Sequence, residues 1–187
     1  MKFLRELYKM IRCAFLVVLK VLADLEFHLE RNTTSPLFGS IWLKKRGVQF
    51  EHPIALGHSL YIRNHGNLSL GQRCSFGSFT RIWNYNPISI GDDFMCAGGL
   101  TINTASHDPV NLAFIEDKIR IGNRVWCGLN VTILSGVTIG NDVVIGAGSV
   151  VISDLPSNCI AVGVPAKKIK NLNRSADQEI WQLSARD

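Results

Sequence analysis

The 187 residues, 47% hydrophobic and only 19% charged, describe one folded domain with a buried core and exclude a disordered chain. The formal net charge of +5 gathers at the two ends, in Lys2, Arg5, Lys9 and Arg12 and in Lys167, Lys168 and Lys170. Such runs are most often solvated faces, and no nucleic acid is expected as a partner. Cys13, Cys74, Cys96, Cys127 and Cys159 are odd in number, widely spaced and without a C-x-x-C, which fits free thiols better than a disulfide framework or a zinc site.

Residues 1–31 read as a helix, because Lys2, Arg5, Lys9 and Arg12 recur at three- and four-residue steps along one face. The apolar run "CAFLVVL" follows and is interrupted at Lys20, too soon for a transmembrane span. Lys20 also spoils a signal-peptide core, and no A-x-A site follows it. An amphipathic helix remains, which either packs on the protein or lies on an anionic membrane surface. With a linker it accounts for residues 1–46.

A six-residue beat then takes over. Val48, Ile54 and Leu60 open an irregular first coil; Leu70, Phe76 and Ile82 follow, then Ile90, Cys96 and Ile102 after a two-residue slip. From Ile121 the beat is regular, through Cys127, Ile133, Ile139, Ile145 and Val151. Val125, Val131, Val137, Val143 and Ser149 sit two residues before the later beats, and Gly122, Gly128, Gly140 and Gly146 follow four of the six beats from Ile121. A short strand alternates in and out, so beat and beat-minus-two face the same way, and glycine eases the turn to the next strand. Three such strands close a triangular coil, and stacked coils bury a column of Ile and Val. The period therefore predicts an all-β solenoid, a parallel β-helix of about five coils over residues 47–165, with a basic tail or short helix over 166–187. A β-sandwich has no fixed six-residue phase. Cys96 and Cys127 fall inward and read as small hydrophobes.

The beat stops at "NTASHDPV". His107 occupies an outward phase after Ile102, as Trp126 does after Ile121, and "DPVNLAFIEDK" then leaves the pattern with Pro109 against strand continuation. A loop leaving a rigid solenoid beside a surface histidine suits an active-site wall. If Ile121 stacks over Ile102, His107 and Trp126 are neighbours on one face. Asn84 and Asn86, in "WNYNPISIG", lie a little over one coil earlier and face either the acceptor or the turn at Pro87. Asp108 adjoins His107 but alternates to the other side, and Ser106 is expected to point inward.

The segment "WCGLNVTILSGVTIGNDVVIGAGSVVISDLPSNCIAVGVPAKKIK", with "ISIGDD" and "SHD" before it, resembles the hexapeptide-repeat acyltransferases, particularly the galactoside and maltose O-acetyltransferase branch. The likeness runs over residues 88–170. It implies a left-handed β-helix, a homotrimer with active sites between subunits and acetyl-CoA as co-substrate without a metal. Use of coenzyme A places the enzyme in the cytoplasm, and the helix of residues 1–31 allows a peripheral place on the inner face of the membrane. His107 matches the family's catalytic histidine, a general base on a sugar or glycan hydroxyl, such as that of a surface-polysaccharide precursor. Asn84, Asn86 and Asp108 are then candidates for the acceptor side, and residues 108–118 for a protruding loop. Trp126 would line the pantetheine channel, or else pack between subunits. Gly128, Leu129 and Ala147 would offer backbone amides to the arm, and Lys167 and Lys170 would approach the nucleotide phosphates. Leu129 stands where relatives carry a small residue, and Ile152-Ser153 stands where Thr-Lys is common. Two rivals remain: a non-catalytic trimeric scaffold, and a metalloenzyme of the carbonic anhydrase type. The latter needs three converging histidines, whereas His52, His58 and His65 are spread over different faces of a coil.

Overall fold

Triplets such as Leu68-Ser69-Leu70 and Ile88-Ser89-Ile90 bury their first and third residues and turn the second outward. Alternation of this kind needs a neighbour on each edge, and here each strand finds one a full coil away. The computed structural model, which describes residues 5, 8–18, 21 and 36–174, is a parallel solenoid with three faces. The first face stacks Leu68–Leu70, Ile88–Ile90, Ile119–Ile121 and Thr138–Ile139. The second runs from Ala55–Leu56 through Ser75–Phe76, Met95–Cys96, Trp126–Cys127 and Val143–Ile145 to Cys159–Val162. The third stacks Tyr61–Ile62, Arg81–Trp83, Thr101–Asn103, Thr132–Ile133 and Val150–Val151. Five coils enclose one column of Ile, Val, Leu, Phe and Cys.

The phase of the first coil differs from the sequence expectation. Gln49 bridges Ser69, Ala55 pairs Ser75 and Tyr61 pairs Arg81, so the beats are Phe50, Leu56 and Ile62. Val48, Ile54 and Leu60 are the beat-minus-two residues. Both positions face inward, so apolar content alone does not choose between them.

One corner explains the recurring "IG-[DN]" of the sequence. Between the first and second faces, Asp92 Oδ1 accepts the Gln72 N–H at 2.8 Å, and Asn123 Oδ1 accepts the Asp92 N–H at 2.9 Å. Asn141 Oδ1 accepts the Asn123 N–H at 2.7 Å, and Ser157 Oγ accepts the Asn141 N–H at 2.9 Å. Each oxygen lies directly over the glycine of the coil below. A Cβ on Gly122 would stand 2.5 Å from Asn141 Oδ1, so that position has room for glycine alone. The next residue turns the chain in the left-handed region, at Arg73, Asp93, Arg124, Asp142 and Asn158. Arg73–Asp93 and Arg124–Asp142 pair along the same edge.

Cys74, Cys96, Cys127 and Cys159 are buried, and Cys127 stacks on Cys96. Burial pushes the Cys74 thiol up to about 12 and that of Cys96 to about 11, so these side chains pack as neutral hydrophobes.

The ends depart from expectation. Within the segment read as linker, Pro36–Lys45 forms a helix that closes the lower end, burying Trp42 and Leu43, while Ser40 Oγ accepts the Ile54 N–H at 2.9 Å. Beyond residue 165, Lys167–Asn171 is a strand antiparallel to Cys159–Val162, where a tail or helix was expected. Residues 175–187 of that tail lie outside the described residues. So does most of the helix read over residues 1–31; residues 8–18 are helical and expose Met10, Ile11, Phe15 and Leu16. Among the described residues no helix is long and apolar enough to cross a membrane.

Candidate active site

Ile88 lies 20 residues above Leu68, but Ile119 lies 31 above Ile88. The excess is a β-hairpin that leaves the solenoid after Thr104. Ala105–His107 pairs antiparallel with Phe114–Glu116, setting His107 opposite Phe114. Its root is fastened to the coil above: Ser135 Oγ donates to the Thr104 carbonyl at 2.9 Å and accepts the Asp117 N–H at 2.9 Å. Its tip is fastened by Asp108, whose Oδ1 accepts the Val110 and Asn111 N–H groups at 2.8 and 3.0 Å. Those bonds hold the Asp108 carboxyl below its ordinary range. Leu112 turns the chain with φ +57.

That turn delivers the Leu112 carbonyl to His107 Nδ1, 3.0 Å away. A carbonyl can only accept, so Nδ1 of the neutral ring carries the hydrogen and Nε2 keeps its lone pair. The exposed imidazole packs edge-on against Phe114, ring centres 5.6 Å apart, and Phe114 against Tyr85 at 5.5 Å. Together with Trp83, Asn103 and Ser106 these rings line a groove of about 410 Å³. Ser106 is thus exposed where an inward position was expected, because a hairpin that has left the solenoid has no core to face.

The asparagines are placed differently. Asn84 is fully buried; its Oδ1 accepts the Asn64 N–H at 3.0 Å, and its amide group donates to the Asn64 carbonyl. It ties two corners together and lies outside the groove. Asn86 donates its backbone N–H to Thr104 Oγ1 at 3.0 Å and does not line the groove either. Asp108 is engaged with the hairpin tip and does not line the groove. Trp83, Tyr85, Asn103 and Phe114 take the place by the histidine. Trp83 and Asn103 follow the beats Ile82 and Ile102, an outward phase that the parity used for Trp126 would have flagged.

Trp126 is not beside His107. Ile121 stacks on Ile90 and under Ile139, and Trp126 sits on the second face between Met95 and Val144. What the structure does align is a single row: Trp126 pairs Val144, Val144 pairs Ile160, and Ile160 pairs Lys170. At about 4.8 Å per strand this row runs some 14 Å from an exposed indole to an ammonium group. Lys167 is exposed on the same last strand. At the adjoining corner the Gly128 N–H donates to the Ile145 carbonyl at 2.8 Å, so Gly128 contributes close approach and no free amide. The Leu129 and Ala147 amides donate to no acceptor among the described residues.

His52, His58 and His65 fall at three different corners of the first coil, and no group of three His, Cys, Asp or Glu side chains among the described residues could hold a metal ion.

Comparison with known proteins agrees with this geometry. Residues 118–153 match the family model "Hexapeptide repeat of succinyl-transferase". The chain is 32% identical over 158 residues to a putative lipopolysaccharide biosynthesis O-acetyl transferase of Escherichia coli, covering 65% of this chain and 80% of that one. The crystal structure of a maltose O-acetyltransferase from Clostridium difficile superposes with a TM-score of 0.69 at 30% identity, over 86% of this chain and 89% of that one. A hexapeptide-repeat acetyltransferase from Vibrio cholerae, solved with acetyl coenzyme A, gives 0.68 at 25% identity, over 84% and 88%. The solenoid is accordingly the left-handed β-helix of those enzymes, and the chain belongs to the hexapeptide-repeat acetyltransferases.

Proposed function

We propose that this acetyltransferase moves the acetyl group of acetyl-CoA to a sugar hydroxyl, with His107 as general base. The observation that carries the reading is the bond from His107 Nδ1–H to the Leu112 carbonyl, which leaves Nε2 basic beside an open groove. Nε2 takes the proton of the acceptor hydroxyl as its oxygen attacks the thioester carbonyl. The tetrahedral intermediate then expels the coenzyme thiolate, which recovers the proton from the imidazolium. No side-chain nucleophile is required. The aromatic walls of the groove suit the apolar face of a pyranose, and the names of the maltose and lipopolysaccharide relatives favour a sugar acceptor.

The working unit we propose is a homotrimer. In one chain His107 leaves at the corner after the third face, whereas Trp126 and Lys170 lie on the second, so a complete site needs the donor row of a neighbouring copy. The same row supplies the first experiment. Calorimetry with acetyl-CoA should show binding, weakened about tenfold, or 1.4 kcal/mol, in Lys167→Ala/Lys170→Ala. Absence of binding at millimolar concentration would return the fold to the reading of a scaffold.

Residues 8–18 support a peripheral placement on anionic membrane, since Met10, Ile11, Phe15 and Leu16 are exposed alongside Lys9 and Arg12. Sedimentation with vesicles rich in phosphatidylglycerol should carry the protein down, and Phe15→Glu/Leu16→Glu should leave it in solution. A wild-type protein that ignores such vesicles assigns the helix to packing on the trimer.

A further inference from the structure

Below His107 the third face carries a pattern that the transfer reaction does not use. Tyr61, on the first coil, meets Trp83 on the second with ring centres 5.5 Å apart, and Trp83 in turn lies beneath Asn103 on the third. Two arginines alternate with these rings. Arg81 is the ladder partner of Tyr61 on the next coil, and the Arg63 N–H donates to the Ile82 carbonyl, placing Arg63 under Trp83. The Arg63 guanidinium lies over the Tyr85 ring at 4.6 Å from its centre, which fixes the plane and leaves its edge N–H groups for a ligand. Both arginines are exposed, and neither makes an ion pair among the described residues.

The strip is continuous with the catalytic groove, since Trp83 and Tyr85 belong to both. It also runs the opposite way from the donor row. The row climbs from Trp126 on the fourth coil to the last strand; the strip descends from His107 to the first coil. Three coils at about 4.8 Å outrun a single sugar ring. Aromatic faces pack on the C–H faces of sugars, and a planar guanidinium pairs a carboxylate or phosphate through two N–H bonds.

We propose that the acceptor is an acidic oligosaccharide chain. One residue presents its hydroxyl to His107, and the next residues lie over Trp83 and Tyr61 with their anionic groups on Arg81 and Arg63. The proposal rests on the sugar-acceptor reading and narrows it from a simple neutral sugar to a charged polymer.

The test is calorimetric binding to the full-length protein, at low salt, of three probes of similar length: trigalacturonic acid, a phosphorylated maltotriose and neutral maltotriose. At least one acidic probe should bind about tenfold more tightly than the neutral one, and the tighter of the two names the anion. Arg63→Gln/Arg81→Gln should abolish the preference, and Trp83→Ala should weaken all three probes. His107→Ala should keep the preference for the acidic probe, which separates this proposal from the chemistry: turnover fails in that variant while the discrimination by Arg63 and Arg81 persists. Equal affinity of the wild type for neutral and acidic probes overturns the proposal without mutation. So does a double variant that keeps the preference, or one that loses its assembly by light scattering, which would make the arginines a subunit contact.

Discussion

Replacing His107 with alanine lowers the rate of acetyl transfer by about 10²–10⁴, the usual worth of general-base assistance, and leaves acetyl-CoA affinity unchanged. The two halves of this result belong together in the proposed site, because the row from Trp126 to Lys170 that we assign to the coenzyme does not include the histidine. Calorimetry and a thiol-release assay on the same preparation check both. The tautomer is a separate readout. Nitrogen-15 spectra should find the proton of the neutral ring on Nδ1, held by the Leu112 carbonyl. A ring protonated on Nε2 instead would deprive the mechanism of its base even if the alanine variant were inactive. A variant that loses activity and acetyl-CoA binding together would point to a collapsed hairpin.

The second large effect concerns the fold. Gly122→Ala places a Cβ 2.5 Å from Asn141 Oδ1 and 2.8 Å from the Gly140 backbone. The backbone cannot retreat, because Gly122 N–H is bonded to the Ile139 carbonyl at 2.8 Å and Asn123 N–H to Asn141 Oδ1 at 2.7 Å. Overpacking in so close a stack costs roughly 3 kcal/mol. For a chain of this size that lowers the melting temperature by about 6–12 °C. Thermal unfolding at fixed protein concentration checks it, with Gly66→Ala as the control, since a Cβ there meets nothing within 4 Å. Equal melting points for the two variants would show that the corner accommodates a methyl group and that the ladder of side-chain oxygens is not what demands glycine.

The later coils were legible because their beats are aliphatic and their turns short. From Ile121 onward both the phase and the inward residues can be read directly, and the pairing of Ile121 with Ile139 and of Cys127 with Ile145 agrees. The first coil was harder. Val48, Ile54 and Leu60 are as apolar as Phe50, Leu56 and Ile62 and both sets face inward, so nothing in composition prevents a phase set two residues early. His107 was legible as an outward residue at a break. The geometry around it was not, because the direction of the hairpin depends on contacts distant in sequence, such as Ser135 at its root. Asn84 illustrates the opposite error. An asparagine a little over one coil before a candidate histidine invites a functional role, but its two hydrogen-bonding ends match the backbone of Asn64, 20 residues earlier. Only the stacking of one coil on another reveals that match.

The hairpin that carries His107 enters after Thr104 and returns by Ile119, which resumes the stack on Ile88 in register. Its root is closed by Ser135, a residue of the coil above, and no strand of the solenoid pairs with it. Chemistry and architecture are therefore nearly uncoupled. The exposed residues of the tip, Pro109 and Val110 among them, can change while the coils keep their step, provided that the turn still brings the Leu112 carbonyl to His107 Nδ1. One stable prism can in this way present the same base to many different acceptors.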